Sequence, residues 1–132
     1  MEGPLEKLPK GVPDCLKKRA LLNSRELAPE AAREYGGKFL ALGWLEDALE
    51  FFLKAGDQAG LEKIKARCLE AGDAYLMGRL GRLATPDDWR RVAEQALTLG
   101  KLAFAARAYK MAGDPDKAQA VASLHPGDAP VH

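Results

Sequence analysis

A segment that occurs twice, 57 residues apart, constrains this chain more than any other feature. Gly43–Gln58 (GWLEDALEFFLKAGDQ) aligns with Gly100–Pro115 (GKLAFAARAYKMAGDP): Gly43 meets Gly100, Leu45 meets Leu102, Ala48 meets Ala105, Phe52 meets Tyr109, and Ala55-Gly56-Asp57 meets Ala112-Gly113-Asp114. The matches fall at helix-face spacing and close on the same turn, which defines a repeated supersecondary unit. Helix punctuation fills the interval between the two copies. Asp57, Thr85 and Asp114 are good N-cap residues, each followed by a polar or proline first position (Gln58, Pro86, Pro115), and Gly43, Gly72 and Gly100 each sit about fourteen residues after a start. The starts at Pro29, Gln58, Pro86 and Pro115 are 29, 28 and 29 residues apart.

This ladder predicts first helices over 29–42, 58–71 and 86–99, second helices over 44–55, 73–84 and 101–112, a closing helix over 115–124 and a short helix over 14–23. The expected fold is all-α: a right-handed stack of three antiparallel helical hairpins (29–57, 58–85 and 86–114) with a C-terminal capping helix and a short N-terminal helix. Strand signals are missing, since no stretch alternates apolar and polar residues with β-branched enrichment. Residues 1–13 and 125–132 are crowded with proline and glycine and read as irregular tails around a single domain, 14–124.

Laid on this ladder, the residues resemble the tetratricopeptide repeat, with its pattern W-x2-L-G-x2-Y, then A-x3-F, then P. The first unit offers Ala32, Tyr35, Gly36 and Phe39, then Ala48 and Phe52; the third offers Trp89, Val92, Ala93 and Ala96, then Ala105 and Tyr109. The middle unit keeps only apolar character, in Leu61, Ile64, Cys68 and Met77, and the turn residue Gly72. Two departures stand out. The period is near 29 where the family has 34, and the family's terminal proline is replaced by Gly60 and Lys117. The Ala-Gly-Asp turn after an aromatic-rich second helix is also similar to the hairpin repeats of clathrin heavy chain and coatomer-type solenoids. Small residues at Gly36, Ala48, Ala93 and Ala105 let helix backbones approach while Phe39, Phe52 and Tyr109 fill the flanking hollows, so packing accounts for the motif without any chemistry.

Groups with reactive potential are few. Cys68 falls on the apolar face of a first helix, at the place of Phe39 and Ala96 in the neighbouring units, and reads as a buried structural thiol. Cys15 stands at the edge of the tail. His125 and His132 have no second ligand at i+3 or i+4, so no metal is expected and no cofactor is called for. Glu46, Asp47 and Glu50 cluster at a helix start, where the macrodipole favours negative charge, and read as a solvated face. Gly36-Gly37 and Gly78-x-x-Gly81 lack the order of a phosphate loop and a preceding strand. A non-enzyme is the expectation.

Charge gives the partner no name. Twenty Lys and Arg against nineteen Asp and Glu leave a formal charge of +1, unlike the excess of most nucleic-acid binders. Residues 26–57 nevertheless carry seven acidic against three basic side chains, and residues 79–110 carry seven basic against three acidic. Such asymmetry suits head-to-tail self-association or an acidic partner at the basic half. Arg90 and Arg91 ahead of the Gly100 turn superficially suit a helix-turn-helix, but the following helix, with Leu102, Phe104, Ala105 and Tyr109, is too apolar to read base edges. No membrane span is present, and residues 1–14 hold no apolar stretch of signal-peptide length, so a cytoplasmic setting is expected.

The resemblance implies a partner site, because the first helix of each tetratricopeptide hairpin lines a concave groove for a peptide or helix. On the outward positions of the first helices that lining would be Arg33, Gly37 and Leu40, then Glu62, Ala66 and Leu69, then Arg90, Glu94 and Leu97. Mixed charge with one leucine per helix suits a short amphipathic segment. The expected function is therefore a protein-protein interaction module, a small adaptor or assembly scaffold, with a small helical enzyme or ligand binder and a nucleic-acid binder as the alternatives. A short stack also needs capped ends. Ala118, Val121, Ala122 and Leu124 are expected to cover one, and Cys15, Leu16, Leu21 and Leu22 the other, with self-association where a cap fails.

Overall fold

The structure, a computed structural model, describes residues 11–124. Among them the fold is all-α, with eight α-helices: α1 (Cys15–Asn23), α2 (Pro29–Ala41), α3 (Leu45–Ala55), α4 (Gln58–Ala71), α5 (Ala74–Arg79), α6 (Pro86–Thr98), α7 (Leu102–Met111) and α8 (Pro115–Ala122). The four starts at Pro29, Gln58, Pro86 and Pro115 are those the punctuation predicts. The chain divides into two compact units, Met1–Ile64 and Lys65–His132, with α4 running through the division.

Helix ends set the regularity. Past α2, α4 and α6 the chain turns on Gly43, Gly72 and Gly100, at φ 78°, 63° and 76°. The next N–H in each case, from Trp44, Asp73 and Lys101, donates back to the carbonyl of Phe39, Cys68 and Ala96 at 3.0, 3.0 and 2.8 Å. The ends of α3 and α7 close identically, with Gly56 and Gly113 left-handed and the N–H groups of Asp57 and Asp114 donating to Phe52 and Tyr109 at 3.0 and 2.9 Å. Each closure satisfies a carbonyl that a helix end would otherwise orphan, and each needs a residue without a Cβ. At Gly72 a second reason applies, because a Cβ there would lie 2.7 Å from the backbone nitrogen of Ala96.

Side chains hold the opposite ends. Asp14, Asp73 and Asp114 accept from the N–H groups of Lys17, Leu76 and Lys117 at 2.8, 2.9 and 3.1 Å. Thr85 and Asp88 form a reciprocal capping box at the start of α6. One expectation fails here. The second helix predicted over 73–84 stops at Arg79, and Gly81 at φ 57° diverts the chain into a 3-10 turn, Gly81–Leu83, that delivers Thr85 to its capping position.

In the first unit α2 and α3 form a hairpin around an aromatic core. Phe39 stacks on Phe51 and on Trp44 at ring-centroid distances of 5.6 and 5.8 Å, and Tyr35 tilts against Phe51 at 5.3 Å. Phe52 lies between two helices that each present a glycine: a Cβ on Gly36 of α2 or on Gly60 of α4 would fall 2.6 or 2.5 Å from its ring. This explains the departure at position 60, since the ring fills the space that any side chain there would need. The short helix α1 lies on α3 through Lys18, which pairs with Asp47 and with Glu50 at 3.1 Å. Burial lowers the affinity of the Lys18 ammonium for its proton, and the two carboxylates outweigh this, leaving the pKa above its ordinary value. The cluster Asp47 and Glu50 is thus an anchor for α1 and not the freely solvated face expected. Cys15 and Leu16 also depart from expectation: both are exposed, Leu16 at 81%, because α1 is held by its charged side while only Leu21 and Leu22 are half-buried.

In the second unit α6 pairs with α7 and α7 with α8. Trp89, Val92, Ala93 and Ala96 of α6 and Ala105, Ala108 and Tyr109 of α7 are buried, with Val121 of α8. Lys117, at the repeat position of Gly60, places its ammonium 5.6 Å from the Tyr109 ring centroid. Asp88 is buried and lies 3.0 Å from the Lys65 ammonium. Burial pushes its carboxyl pKa up, but the Thr85 N–H, Lys65 and the Thr85 hydroxyl together hold it below the ordinary 3.8.

Two sets of variants test these contacts. Gly36→Ala forces its methyl into the Phe52 ring and should cost about 1–3 kcal/mol, whereas Gly37→Ala, with nothing within 4 Å of its Cβ, should gain about 1 kcal/mol from helix propensity; urea unfolding of both reads the difference. Asp88→Asn should cost about 1–3 kcal/mol at neutral pH by weakening a charge-assisted network. Because the folded-state pKa is depressed, the Asp88 contribution is complete above the ordinary carboxyl pKa and is lost as pH falls through the folded value. Thermal melts taken toward low pH should therefore fall more steeply for the wild type than for Asp88→Asn.

Candidate functional site

The outward positions of the first helices divide between the two units. In the first, Arg33 is exposed and Leu40 half-buried on α2, and Glu62 is exposed on α4. The Arg33 guanidinium Nε lies 3.5 Å from the Asp57 carboxylate, so this arginine ties α2 to the turn before α4 as well as facing solvent. Two depressions on α2 lie elsewhere on the helix. Ala31, Glu34, Tyr35 and Lys38 line a depression of about 110 Å³, and the segment Gly11–Asp14 with Lys17, Tyr35 and Lys38 lines another of about 390 Å³. Lys38 joins them: its ammonium is 3.7 Å from Glu34, 3.4 Å from the Gly11 carbonyl and 5.6 Å from the Tyr35 ring centroid. Nothing in the helical ladder signals this, because it depends on where residues 11–14 run.

The second unit brings predicted residues together. Leu69 of α4 and Glu94 of α6 line one open depression of about 280 Å³ with Arg91, Gln95 and Thr98. Hydrogen bonds tie the elements beside it: the Gln95 amide donates to the Glu70 carbonyl at 2.8 Å, and the Lys101 ammonium to the Ala71 carbonyl at 2.7 Å. Both satisfy carbonyls at the C-terminal end of α4, where a cation is also favoured by the helix dipole. Arg90 is exposed beside this site and lies 3.4 Å from Asp87; Leu97 is half-buried. The periodicity places the lining one position away from Arg91, Gln95 and Thr98 along α6, because the rotation of that helix is set by tertiary contacts such as the close approach of Gly72 to Ala96 and the Gln95 hydrogen bond to Glu70.

Burial shifts two titratable groups near this site. Burial pushes the Cys68 thiol up to about 12, with Asp73 adding to the shift, so the side chain is a protonated core filler at neutral pH. Burial likewise raises Tyr109, helped by Glu94 and Asp114. Among the described residues no three His, Cys, Asp or Glu side chains gather as a metal site; His125 and His132 lie outside those residues. No helix among the described residues is long and apolar enough to cross a membrane. In native protein a thiol reagent should modify Cys15 rapidly, and Cys68 only after denaturation, as peptide mapping of the alkylated chain would read.

Compared with protein-family models, with curated proteins and with solved structures, the chain matches none.

Proposed function

We propose that the chain is a non-enzymatic protein-protein interaction module, a tetratricopeptide-like set of three stacked hairpins that holds a peptide or helix of a partner against its first helices. The observation that carries this reading is the depression between α4 and α6, where Leu69 offers an apolar contact among Arg91, Glu94, Gln95 and Thr98. One apolar anchor ringed by both charge signs suits a short amphipathic segment, which gains affinity from the anchor and register from the rim. Arg90 and Leu97 extend this surface on α6, and Arg33, Leu40 and Glu62 are the matching outward positions of the first unit. The repeated glycine closures support the hairpin reading, since they give α2, α4 and α6 the same exit. A small adaptor or assembly scaffold in the cytoplasm is the role that fits.

Selection from a displayed library of random helical peptides tests this. Enriched sequences should share an apolar anchor flanked by charge, and Arg91→Glu and Glu94→Lys should each weaken the selected peptide about tenfold while Lys17→Glu leaves it unchanged. Failure to enrich any sequence over an unrelated helical domain, together with retention on DNA that falls steeply with salt, would replace the reading with nucleic-acid binding.

A further inference from the structure

Among the described residues, α7 and α8 enclose a groove between them. In the hairpins α2–α3 and α6–α7, the first helix buries a pair of residues four apart: Ala32 and Gly36 on α2, Trp89 and Ala93 on α6. Helix α8 is a first helix by register, and its corresponding residues, 29 positions after Trp89 and Ala93, are Ala118 and Ala122. Here Ala118 is only half-buried and Ala122 is exposed. They line a groove of about 350 Å³ with Ala106, Arg107 and Lys110 of α7. Ala106 is half-buried, although its counterpart 57 residues earlier, Leu49, is fully buried.

We propose that this groove seats an acidic amphipathic helix of a partner protein, lying where a second helix would pair with α8. The complete hairpin of the first unit shows what such a helix brings. There the second helix, α3, carries Ala48-x3-Phe52 and lays the Phe52 ring against Gly36, the repeat counterpart of Ala122. An occupant with alanine followed four residues later by an aromatic would place its ring over Ala122 in the same way. Charge fixes the sign of the flanks, since Arg107 and Lys110 are both exposed at the groove. A second copy of this chain fits poorly: its α1 would set Lys17, Lys18 and Arg19 against those cations, and the apolar face of its α3 is already buried. This surface is distinct from the depression at Leu69 and Arg91.

Two synthetic peptides test the proposal by fluorescence anisotropy against the full chain. The Gly43–Asp57 sequence has the alanine-aromatic spacing with four acidic residues and one lysine; the Gly100–Asp114 sequence has the same spacing with three basic residues and one aspartate. The acidic peptide should bind saturably and about tenfold or more tighter than the basic one. Arg107→Glu combined with Lys110→Glu should invert that preference, and Ala122→Trp should abolish binding, each with an unchanged thermal melt. Absence of saturable binding, equal binding of the two peptides, or binding indifferent to the double variant overturns the proposal. So does binding lost on Arg91→Glu alone, which would place the peptide on the other surface, and so does self-association in light scattering that the double variant removes.

Discussion

Left-handed glycine immediately past a helix is the constraint on which this architecture depends. Gly43, Gly56, Gly72, Gly100 and Gly113 each let the chain reverse within three residues while the N–H of the following residue caps a carbonyl five positions back. Any L-residue there costs about 1–2 kcal/mol in backbone strain, so the five positions fix where helices end more firmly than helix propensity does. Once the ends are fixed, helix length follows, and with it which side chains meet. Phe52 reaches Gly36 and Gly60 because α3 is eleven residues long and closed at Gly56.

Most of the helical ladder was legible for this reason. Glycine turns, aspartate or threonine caps and first-turn prolines are local signals, and seven of the eight helices begin and end within two residues of where those signals put them. The exception is instructive. Gly81 falls inside the helix predicted over 73–84, whereas its left-handed conformation ends α5 early. A glycine that packs and a glycine that turns look alike in sequence, and only an N-cap placed a few residues later, here Thr85, distinguishes them. The site was less legible. Outwardness of Arg33, Glu62, Arg90 and Glu94 follows from helical period, but concavity depends on how neighbouring elements are rotated. That rotation is set at single contacts such as Gly72 against Ala96, or Lys38 against Gly11, which no periodicity encodes.

The two aromatic positions of the repeat show how one motif serves two environments. Phe52 is enclosed by glycine on two sides, so its unit is closed and intolerant of any added atom. Its counterpart Tyr109 has Ala93 where Gly36 stands and Lys117 where Gly60 stands, and the lysine covers the ring with an ammonium. The substitution from glycine to lysine marks the change from an aromatic ring enclosed by backbone to one covered by a side chain. A long amphipathic side chain covers an aromatic face with methylenes while keeping its charge in water. It does so without demanding the tight backbone approach that Gly60 permits.

Charge distinguishes the two copies of the repeat as well. In the first unit, α1 is joined to α3 by Lys18 reaching Asp47 and Glu50, an attachment made of charge, and the leucines of α1 are left half-buried or exposed. In the second unit, the residue at the repeat position of Glu50 is Arg107, so the carboxylate that receives a basic helix at one place is replaced by a cation at the other. A helix docking beside Arg107 must therefore differ in charge from α1. Opposite charge at equivalent positions lets one repeat framework select helices of opposite sign. Charge preference at a helix surface is thus reversed between the two copies of the repeat by the choice of side chain at one equivalent position, Glu50 against Arg107.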